Sequence, residues 1–251
     1  MPQKPRILEP EDTVSLRFPG ISDLPHTQLS PALSTPLAML IVFLFCIALL
    51  ALALAVWLRR PHFGKLPEGD RLERIKRSPH YIHGRFENLI LKPVLTEGET
   101  FLGITLGFFF RKKERPVPAT ALPVCKTDMH TLPPDTALLL WFGHASYYLQ
   151  TDGLKLLVDP HFSGSASPFP AIPPFPGTRV YSPDDVPAVD YTLITHDHWD
   201  HLDHETIRAL GDKAGTFICG LGIGAHLEHW GVSPERILEA DWNDSLLLGK
   251  G

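Results

Sequence analysis

The stretch THDHWDHLDH, residues 195–204, decides how the rest of the chain is interpreted. It holds four of the chain's 13 histidines, at positions 196, 198, 201 and 204, and three aspartates, at positions 197, 200 and 203. It directly follows the short apolar run YTLI, residues 191–194, which predicts a buried strand. Loops at the carboxyl ends of strands are where α/β folds place their chemistry. The sequence therefore predicts a functional site in this loop.

The residue types and their spacing indicate a metal site. Imidazole nitrogens and carboxylate oxygens are good ligands for Zn²⁺ and related divalent ions. In an extended segment, side chains two positions apart point the same way, so His196 and His198 can hold one ion together. Asp200 and His201 fall at the following turn and can face a second ion about 3.5–4 Å from the first, a spacing that suits hydrolysis. The alternative is a polar loop whose aspartates only cap the next helix.

Short apolar runs separated by turns predict a mixed α/β domain over residues 136–251. The predicted strands are residues 137–142, 146–150, 154–158, 191–194, 216–219, 237–240 and 245–248, and the predicted helices are residues 205–210 and 225–230. The chain carries a net charge of −5, which excludes a polycation that coats nucleic acid. Its three cysteines are far apart, which excludes a disulfide-stapled mini-protein and a thiolate zinc ribbon.

Residues 37–58, LAMLIVFLFCIALLALALAVWL, carry no charge and predict a single transmembrane helix. A helix of this length spans about 33 Å, slightly more than the hydrocarbon core of a bilayer. A buried core helix would show a polar stripe, and a cleaved signal peptide would have a shorter apolar run followed by small residues. Lysine and arginine are more frequent after this segment than before it. This bias predicts that the C-terminal part is cytoplasmic.

The helix divides the chain into four predicted regions. They are an N-terminal tail (1–36), the transmembrane helix (37–58), a basic juxtamembrane region and N-terminal extension (59–135), and the α/β domain (136–251). Translation from Met39 would leave residues 1–38 outside the protein. Residues 101–110 are apolar and precede the basic run RKKER, so they are expected either to pack on a neighbouring domain or to rest at a membrane interface.

The motif T-H-D-H-W-D-H-L-D after a buried strand resembles the H-x-H-x-D-H signature of the metallo-β-lactamase superfamily. Two flanking stretches make the resemblance more specific within this superfamily. They are WFGHASYYLQTDGLKLLVDPHFSGSASP, residues 141–168, and LGIGAHLEHWG, residues 221–231. They are similar to the branch that contains N-acylphosphatidylethanolamine-hydrolysing phospholipase D and its bacterial membrane-associated relatives. The resemblance covers roughly residues 60–251. It implies an αββα sandwich with a dinuclear zinc site, and the better-known members cleave a phosphodiester in a lipid headgroup.

Carried over residue by residue, the resemblance implies that His196 and His198 bind the first zinc ion and that Asp200 and His201 bind the second. It also makes Asp200 the catalytic residue, placed to orient the attacking water or to accept its proton. The remaining ligands of the family are a histidine, a bridging aspartate and a final histidine from the second half of the sandwich. Residues 136–251 are expected to form only the N-terminal half, so the chain is expected to be a C-terminally truncated product.

Three further residues are predicted to support the ligands. Asp159 ends a buried strand and is expected to hold a ligand histidine in its tautomer, unless it is only a turn residue. Asp197 is either a supporting partner or solvated, and His144 is expected near the mouth of the site. His226 and His229 could share one face of a helix, but we interpret them as packing or surface residues.

These observations predict a membrane-anchored, zinc-dependent hydrolase in which a zinc-bound hydroxide attacks the phosphorus of a phospholipid. The predicted partners are the lipid bilayer and this substrate, and no nucleic acid. One alternative keeps the fold and changes the substrate to a lactone, a nucleotide or another phosphodiester. Another alternative is an inactive, membrane-bound fragment that binds one metal loosely. Half a sandwich is expected to expose an apolar sheet face.

Overall fold

The structure is a computed structural model that describes residues 35–90, 93–111, 117–164, 166–168 and 173–249. The chain divides into two units, Met1–Ala55 and Val56–Gly251. Residues 1–34 of the predicted N-terminal tail and residues 112–115 of the basic run RKKER lie outside the described residues. The boundaries of the four predicted regions stay a prediction.

The described residues form five α-helices and eight strands. The helices are α1 (Thr35–Leu58), α2 (Gly69–Lys76), α3 (Phe101–Phe110), α4 (His204–Leu210) and α5 (Gly224–His229). The strands are β1 (Tyr81–Ile82), β2 (Arg85–Phe86), β3 (Leu138–Gly143), β4 (Ser146–Thr151), β5 (Leu154–Val158), β6 (Tyr191–Ile194), β7 (Thr216–Gly220) and β8 (Ile237–Ala240).

Helix α1 is apolar on every side, and none of its residues is buried. It is long and apolar enough to cross a membrane, and it lies near the N-terminus, as a signal sequence also would. A helix that is hydrophobic all round needs a protein core or a bilayer around it.

Strands β3 to β8 form one mixed sheet in the order in which they occur in the chain. The first three strands are antiparallel neighbours, whereas β5 to β8 run parallel. Parallel neighbours need a crossover, and α4 and α5 supply the crossovers between β6, β7 and β8. The predicted α/β class, with a meander followed by alternating strands and helices, is confirmed.

The strand register determines which side chains form the core. One row runs across the sheet on the face that packs against the helices, namely Leu140, Tyr148, Leu157, Thr192, Phe217 and Ile237. The four central side chains of this row are fully buried. Helix α4 contributes Ile207 and Leu210 to the same core, and α5 contributes Leu227. Because successive side chains of a strand alternate between faces, this arrangement uses every second residue of each strand.

The opposite face of the sheet is also apolar, but it is less well covered. Its matching row is Trp141, Tyr147, Val158, Leu193, Ile218 and Leu238. At the two ends of this row, Trp141 is 68% exposed and Leu238 is 41% exposed. The chain therefore has a second apolar sheet face that is exposed at both edges.

The predicted strand over residues 245–248 is wrong, because these residues form no strand in the structure. After β8 the chain turns at residues 241–244, where Asn243 has a left-handed φ of 68°. The chain then reaches the sheet again through a hydrogen bond of 2.6 Å from the Tyr191 hydroxyl to the Gly249 carbonyl. A strand needs a ladder of backbone hydrogen bonds with a neighbour, and this segment forms a side-chain contact instead.

Helix α4, which follows the predicted metal loop, begins at His204, one residue before its predicted start. Asp203 is the N-cap of α4, and its carboxylate accepts a hydrogen bond of 3.2 Å from the backbone N–H of Glu205. The other oxygen of Asp203 accepts hydrogen bonds from the Thr206 hydroxyl at 2.6 Å and from the Ser163 N–H at 2.9 Å. Asp203 is therefore a structural residue that closes the loop before the helix.

Two arginines link helix α2 to the rest of this unit. Arg74 donates a hydrogen bond of 2.7 Å to the Glu239 carbonyl, and Arg71 makes the larger set of contacts. The guanidinium of Arg71 donates to both carboxylate oxygens of Glu228 in α5, at 2.7 and 3.0 Å, and to Glu239 in β8 at 3.2 Å. The hydrogen bond from Arg71 is the main reason that the pKa of Glu228 lies below its ordinary value. This ion pair attaches the juxtamembrane helix to the parallel part of the sheet.

We expect Arg71→Ala to lower the free energy of unfolding by about 1 to 3 kcal/mol, less than for a fully buried pair because water reaches part of it. Since the pKa of Glu228 is lowered in the folded protein, the stabilisation is present above the unfolded pKa and is lost as the pH falls through the folded one. The difference between wild type and variant in urea denaturation should therefore shrink in acid. Lys76→Ala, which removes an exposed pair with Glu73, is the control and should change nothing measurable.

Candidate metal centre

The candidate site lies at one edge of the sheet, where three strands end. Strands β5 and β6 are parallel neighbours, so Asp159 after β5 and Thr195 after β6 reach the same edge. Strand β3 runs in the same direction as β5, because each is antiparallel to β4. The tight turn after β3 therefore brings His144 to this edge as well. The topology collects residues that are up to 57 positions apart in the chain.

Asp159 is buried and links the two central strands to the metal loop. Its Oδ1 accepts a hydrogen bond of 2.8 Å from the backbone N–H of Thr195, and its Oδ2 accepts one of 2.6 Å from the Thr195 hydroxyl. The same Oδ2 lies 2.8 Å from Nδ1 of His201. Since Nδ1 faces the carboxylate, Nε2 of His201 is the ring atom left to bind a cation.

Three donor atoms converge on one point beside Asp159. Nε2 of His144 lies 2.8 Å from Oδ2 of Asp200 and 3.3 Å from Nε2 of His201. Oδ2 of Asp200 lies 3.8 Å from Nε2 of His201. Two nitrogens bound tetrahedrally to Zn²⁺ at about 2.0–2.1 Å would lie about 3.3 Å apart. The donor set and its spacing therefore fit a divalent cation.

The charge state of Asp200 also suits a cation site. Burial raises the pKa of Asp200, but a backbone hydrogen bond and the neighbouring His201 and His144 lower it more. The net result is a pKa below the ordinary value, so the carboxylate is negatively charged at neutral pH. A negative charge beside two imidazoles attracts a cation and keeps its ligand atom available.

His196 and His198 lie next to this group without belonging to it. The ring of His196 is 3.9 Å from the ring of His201 and 4.5 Å from the ring of His198, measured between centroids. Burial is the main cause that lowers the pKa of His196, and the neighbouring His201 and His198 lower it further. A neutral imidazole is the form that binds metal. Within the described residues, however, the converging donor atoms come only from His144, Asp200 and His201.

The structure places the other candidate residues outside the cluster. Asp197 is exposed, whereas Trp199 packs against His62 and Phe63 with ring centroids 5.6 and 5.2 Å away. Nδ1 of His226 accepts a hydrogen bond of 3.1 Å from the backbone N–H of Lys65, so His226 helps to hold the juxtamembrane segment.

The site holds two residues with left-handed backbone. His144 has a φ of 48° and Asp159 a φ of 41°, although neither is glycine. Such conformations cost about 1–3 kcal/mol each and cluster at functional sites. In this conformation, Nε2 of His144 lies 3.3 Å from Nε2 of His201, and Oδ2 of Asp159 lies 2.8 Å from Nδ1 of His201. Sequence reasoning placed His144 only near the mouth, and the signal for its closer role is the tight Gly143-His144 turn between two strands.

A cavity of about 720 Å³ begins beside the donor group. His144 and Asp200 form part of its wall, and Arg179 contributes a positive charge. The rest of the wall is mostly apolar and includes Leu122, Trp141, Phe142, Phe162, Phe175 and Tyr181. The sequence leaves open whether the proline-rich segment 167–177 is a lid, an acyl-chain contact or a plain rigid connection. Phe175 of this segment lies on the cavity wall, whereas Phe169 lies outside the described residues.

The chain is similar to a known protein family over part of its length. Residues 155–251 match the β-lactamase superfamily domain. The resemblance that the metal motif predicts is confirmed over this part of the chain. The mixed α/β sheet is consistent with this assignment.

The chain is also similar to curated proteins. An uncharacterized protein of Mycobacterium tuberculosis is 35% identical over 175 residues, which cover 68% of this chain and 46% of that protein. The N-acyl-phosphatidylethanolamine-hydrolyzing phospholipase D 1 of Caenorhabditis elegans is 28% identical, over 42% of this chain and 31% of that protein. A UPF0173 metal-dependent hydrolase of Nitratidesulfovibrio vulgaris is 31% identical, over 40% of this chain and 37% of that protein. The chain thus spans less than half the length of these relatives.

A solved structure matches more weakly. CmlA, a diiron β-hydroxylase from Streptomyces venezuelae, is 28% identical over 47% of this chain and 23% of that chain, with a TM-score of 0.36. This score is too low to support an argument. The names of the curated relatives agree with the predicted class of metal-dependent hydrolase, whereas the identity of the metal and the assignment of the ligands stay predictions.

We expect Asp159→Asn to lower the affinity for Zn²⁺ by about 10- to 100-fold, because the amide loses the charge that holds His201 in its metal-binding tautomer. Calorimetric titration of the metal-free protein measures this change. Asp197→Asn removes an exposed carboxylate in the same loop and should leave the affinity unchanged. Equal losses in the two variants, or no loss in Asp159→Asn with the fold intact by circular dichroism, would contradict the role assigned to Asp159.

His144→Ala should weaken metal binding by about tenfold or more, since it removes one of the three converging donor atoms. Titration with Co²⁺ gives both the affinity and a visible spectrum that depends on the number of ligands. The matched control is His229→Ala, which removes an exposed imidazole from α5. A spectrum of His144→Ala identical to that of wild type would show that His144 is not a ligand.

Proposed function

We propose that this chain is part of a membrane-anchored, zinc-dependent hydrolase that cleaves a phosphodiester in a phospholipid headgroup. The observation that carries the proposal is the apolar cavity that begins at His144 and Asp200. A soluble nucleotide or a small lactone offers little apolar surface to such a wall, whereas a lipid offers its chains. One relative is named a phospholipase D and another a metal-dependent hydrolase, and both names support metal-dependent hydrolysis.

The candidate residues at this edge of the sheet have different proposed roles. His144, Asp200 and His201 would hold a divalent cation, and imidazole and carboxylate ligands suit Zn²⁺. Such a cation supplies polarisation of a phosphoryl oxygen and activation of water. Asp159 keeps Nε2 of His201 turned toward the site. The ionised Asp200 is also placed to orient a water or to accept its proton, and His196 and His198 lie close enough to complete a second site.

Arg179 is suited to bind the phosphate. Its side chain lies on the wall of the same cavity as His144 and Asp200, and a guanidinium stays charged at all physiological pH values. Arginine binds phosphate oxygens through two parallel hydrogen bonds. The headgroup phosphate would therefore lie between Arg179 and the metal ligands, and the apolar wall would contact the chains.

Helix α1 would hold the site at its substrate. Its length and composition fit a single span, and the basic residues that follow it suit the cytoplasmic side of the membrane. The bilayer is therefore the proposed partner, and the sheet unit is proposed to lie in the cytoplasm. A lipid hydrolase gains from such an anchor because its substrate diffuses in the same two-dimensional surface.

The full chain, purified in detergent and loaded with Zn²⁺, tests the proposal. We expect it to cleave N-acylphosphatidylethanolamine in mixed micelles and to leave a soluble lactone and a soluble aryl phosphodiester essentially intact. Arg179→Gln should reduce kcat/KM for the lipid by about 10- to 100-fold, since it removes hydrogen bonds to a charged group.

Arg208→Gln is the matched control, because it removes an exposed arginine from α4 and should not change the rate. Faster cleavage of the lactone or of the soluble diester would favour the alternative substrates. Metal binding without hydrolysis of any of the three would favour the inactive fragment.

A further inference from the structure

The junction turn, residues 61–64, follows α1 and lies directly on the loop that carries the candidate metal ligands. Two of its side chains, His62 and Phe63, contact Trp199 with ring centroids 5.6 and 5.2 Å away. Trp199 directly precedes Asp200 in the chain, so its backbone moves together with that candidate ligand. The contact therefore joins the middle of the metal loop to the segment that leaves α1.

The junction turn is itself fixed at the C-terminal end of α5. The indole N–H of Trp230 donates a hydrogen bond of 2.7 Å to the carbonyl of Pro61, and the backbone N–H of Lys65 donates one of 3.1 Å to Nδ1 of His226. Gly64 has a left-handed φ of 70°, and a Cβ at this position would overlap the imidazole of His226. The turn can approach α5 this closely because residue 64 is glycine.

The same turn also contacts the end of the apolar helix. Trp57, the second-to-last residue of α1, belongs to the same unit as the sheet and packs edge-on against Phe63 with ring centroids 4.6 Å apart. It is half-buried, whereas Val56 and Leu58 beside it are 60% and 50% exposed. Tryptophan prefers the boundary between hydrocarbon and headgroups. The rings of Trp57, Phe63 and Trp199 thus connect the end of the predicted membrane span to the metal loop.

The middle of the metal loop needs a contact of this kind. Two aspartates hold its ends, Asp159 after β5 and Asp203 before α4. The turn between these ends is closed by its own backbone hydrogen bonds, from the amides of His201 and Leu202 to one carbonyl at 3.0 and 2.8 Å. Hydrogen bonds inside a turn set its shape but not its position on the protein. The packing of Trp199 supplies a contact with a segment outside the loop.

We propose that Trp199 is a positioning residue, through which the junction turn sets the place of the candidate ligand Asp200. Oδ2 of Asp200 lies 2.8 Å from Nε2 of His144, and metal sites tolerate deviations of only about 0.2 Å in ligand distances. The aromatic contact thereby couples the membrane anchor to the geometry of the site. This inference rests on the metal site of the proposed function, but not on its substrate. The competing interpretation is that the rings only cover apolar surface.

Gly64→Ala tests the proposal without a change in the loop, because the new Cβ displaces the turn from His226. The matched control is Gly69→Ala. Gly69 also has a left-handed φ, of 55°, but a Cβ there meets nothing within 4 Å. Trp199→Ala removes the ring on the loop side, and Trp199→Phe keeps an aromatic ring there. The readout is hydrogen exchange in the metal-free full chain in detergent, measured at single amides by mass spectrometry.

We expect both undocking variants, Gly64→Ala and Trp199→Ala, to speed exchange of the loop amides of His201 and Leu202 by about tenfold or more, because the turn loses its outside contact. The glycine control should leave these rates unchanged, and the phenylalanine variant should restore most of the protection. The Thr195 amide should stay protected in every variant, since the carboxylate of the neighbouring strand holds it. Its protection shows that the sheet edge remains intact.

Titration of the same variants with Co²⁺ adds a readout of ligand geometry. Undocking should weaken the affinity for Co²⁺ by about tenfold and change the visible spectrum, whereas Gly69→Ala and Trp199→Phe should keep the wild-type spectrum. Unchanged exchange and an unchanged spectrum in Trp199→Ala would overturn the positioning role. An effect of Trp199→Ala without any effect of Gly64→Ala would overturn the role of the junction turn. Failure of the wild type to bind Co²⁺ would instead contradict the proposed metal site, and the exchange rates alone would then decide whether the turn positions the loop.

Discussion

The buried carboxylate of Asp159 is the constraint on which the site depends. It follows β5, accepts two hydrogen bonds from Thr195 after β6, and contacts Nδ1 of His201. One side chain thus joins two parallel strands and sets the orientation of a candidate metal ligand. Its left-handed backbone costs energy that the folded sheet supplies. This contact fixes the start of the loop at the sheet edge, and the hydrogen bonds of Asp203 fix its end.

Several separate surfaces of the molecule are apolar. Helix α1 is apolar on all sides, and the wall of the candidate cavity is also mostly apolar. Each of these surfaces fits lipid better than water. The candidate metal ligands His144, Asp200 and His201, by contrast, meet at the sheet edge. This arrangement supports the proposed hydrolysis of a lipid, which has a polar headgroup and apolar chains.

Much of the fold could be predicted because it depends on local patterns. The strands β3 to β8 are short apolar runs bounded by turns, and Asp203 marks the start of α4. The prediction failed at residues 245–248, where an apolar run has the composition of a strand but no ladder to join. Strand formation depends on a ladder with a neighbour, and residues 245–248 have none among the described residues. Composition alone does not contain that information.

The candidate site, like the fold, could be predicted from the sequence only in part. The types and spacing of residues 196, 198, 200 and 201 were enough to indicate a metal loop and its superfamily, because the motif is contiguous in the chain. The convergence of His144 on Asp200 and His201 required the folded sheet, since these residues are 56 and 57 positions apart. Arg179 reaches the cavity for the same reason. Chemistry that lies in one segment can be recognised from its residues, whereas distances between segments are set by strand order and direction.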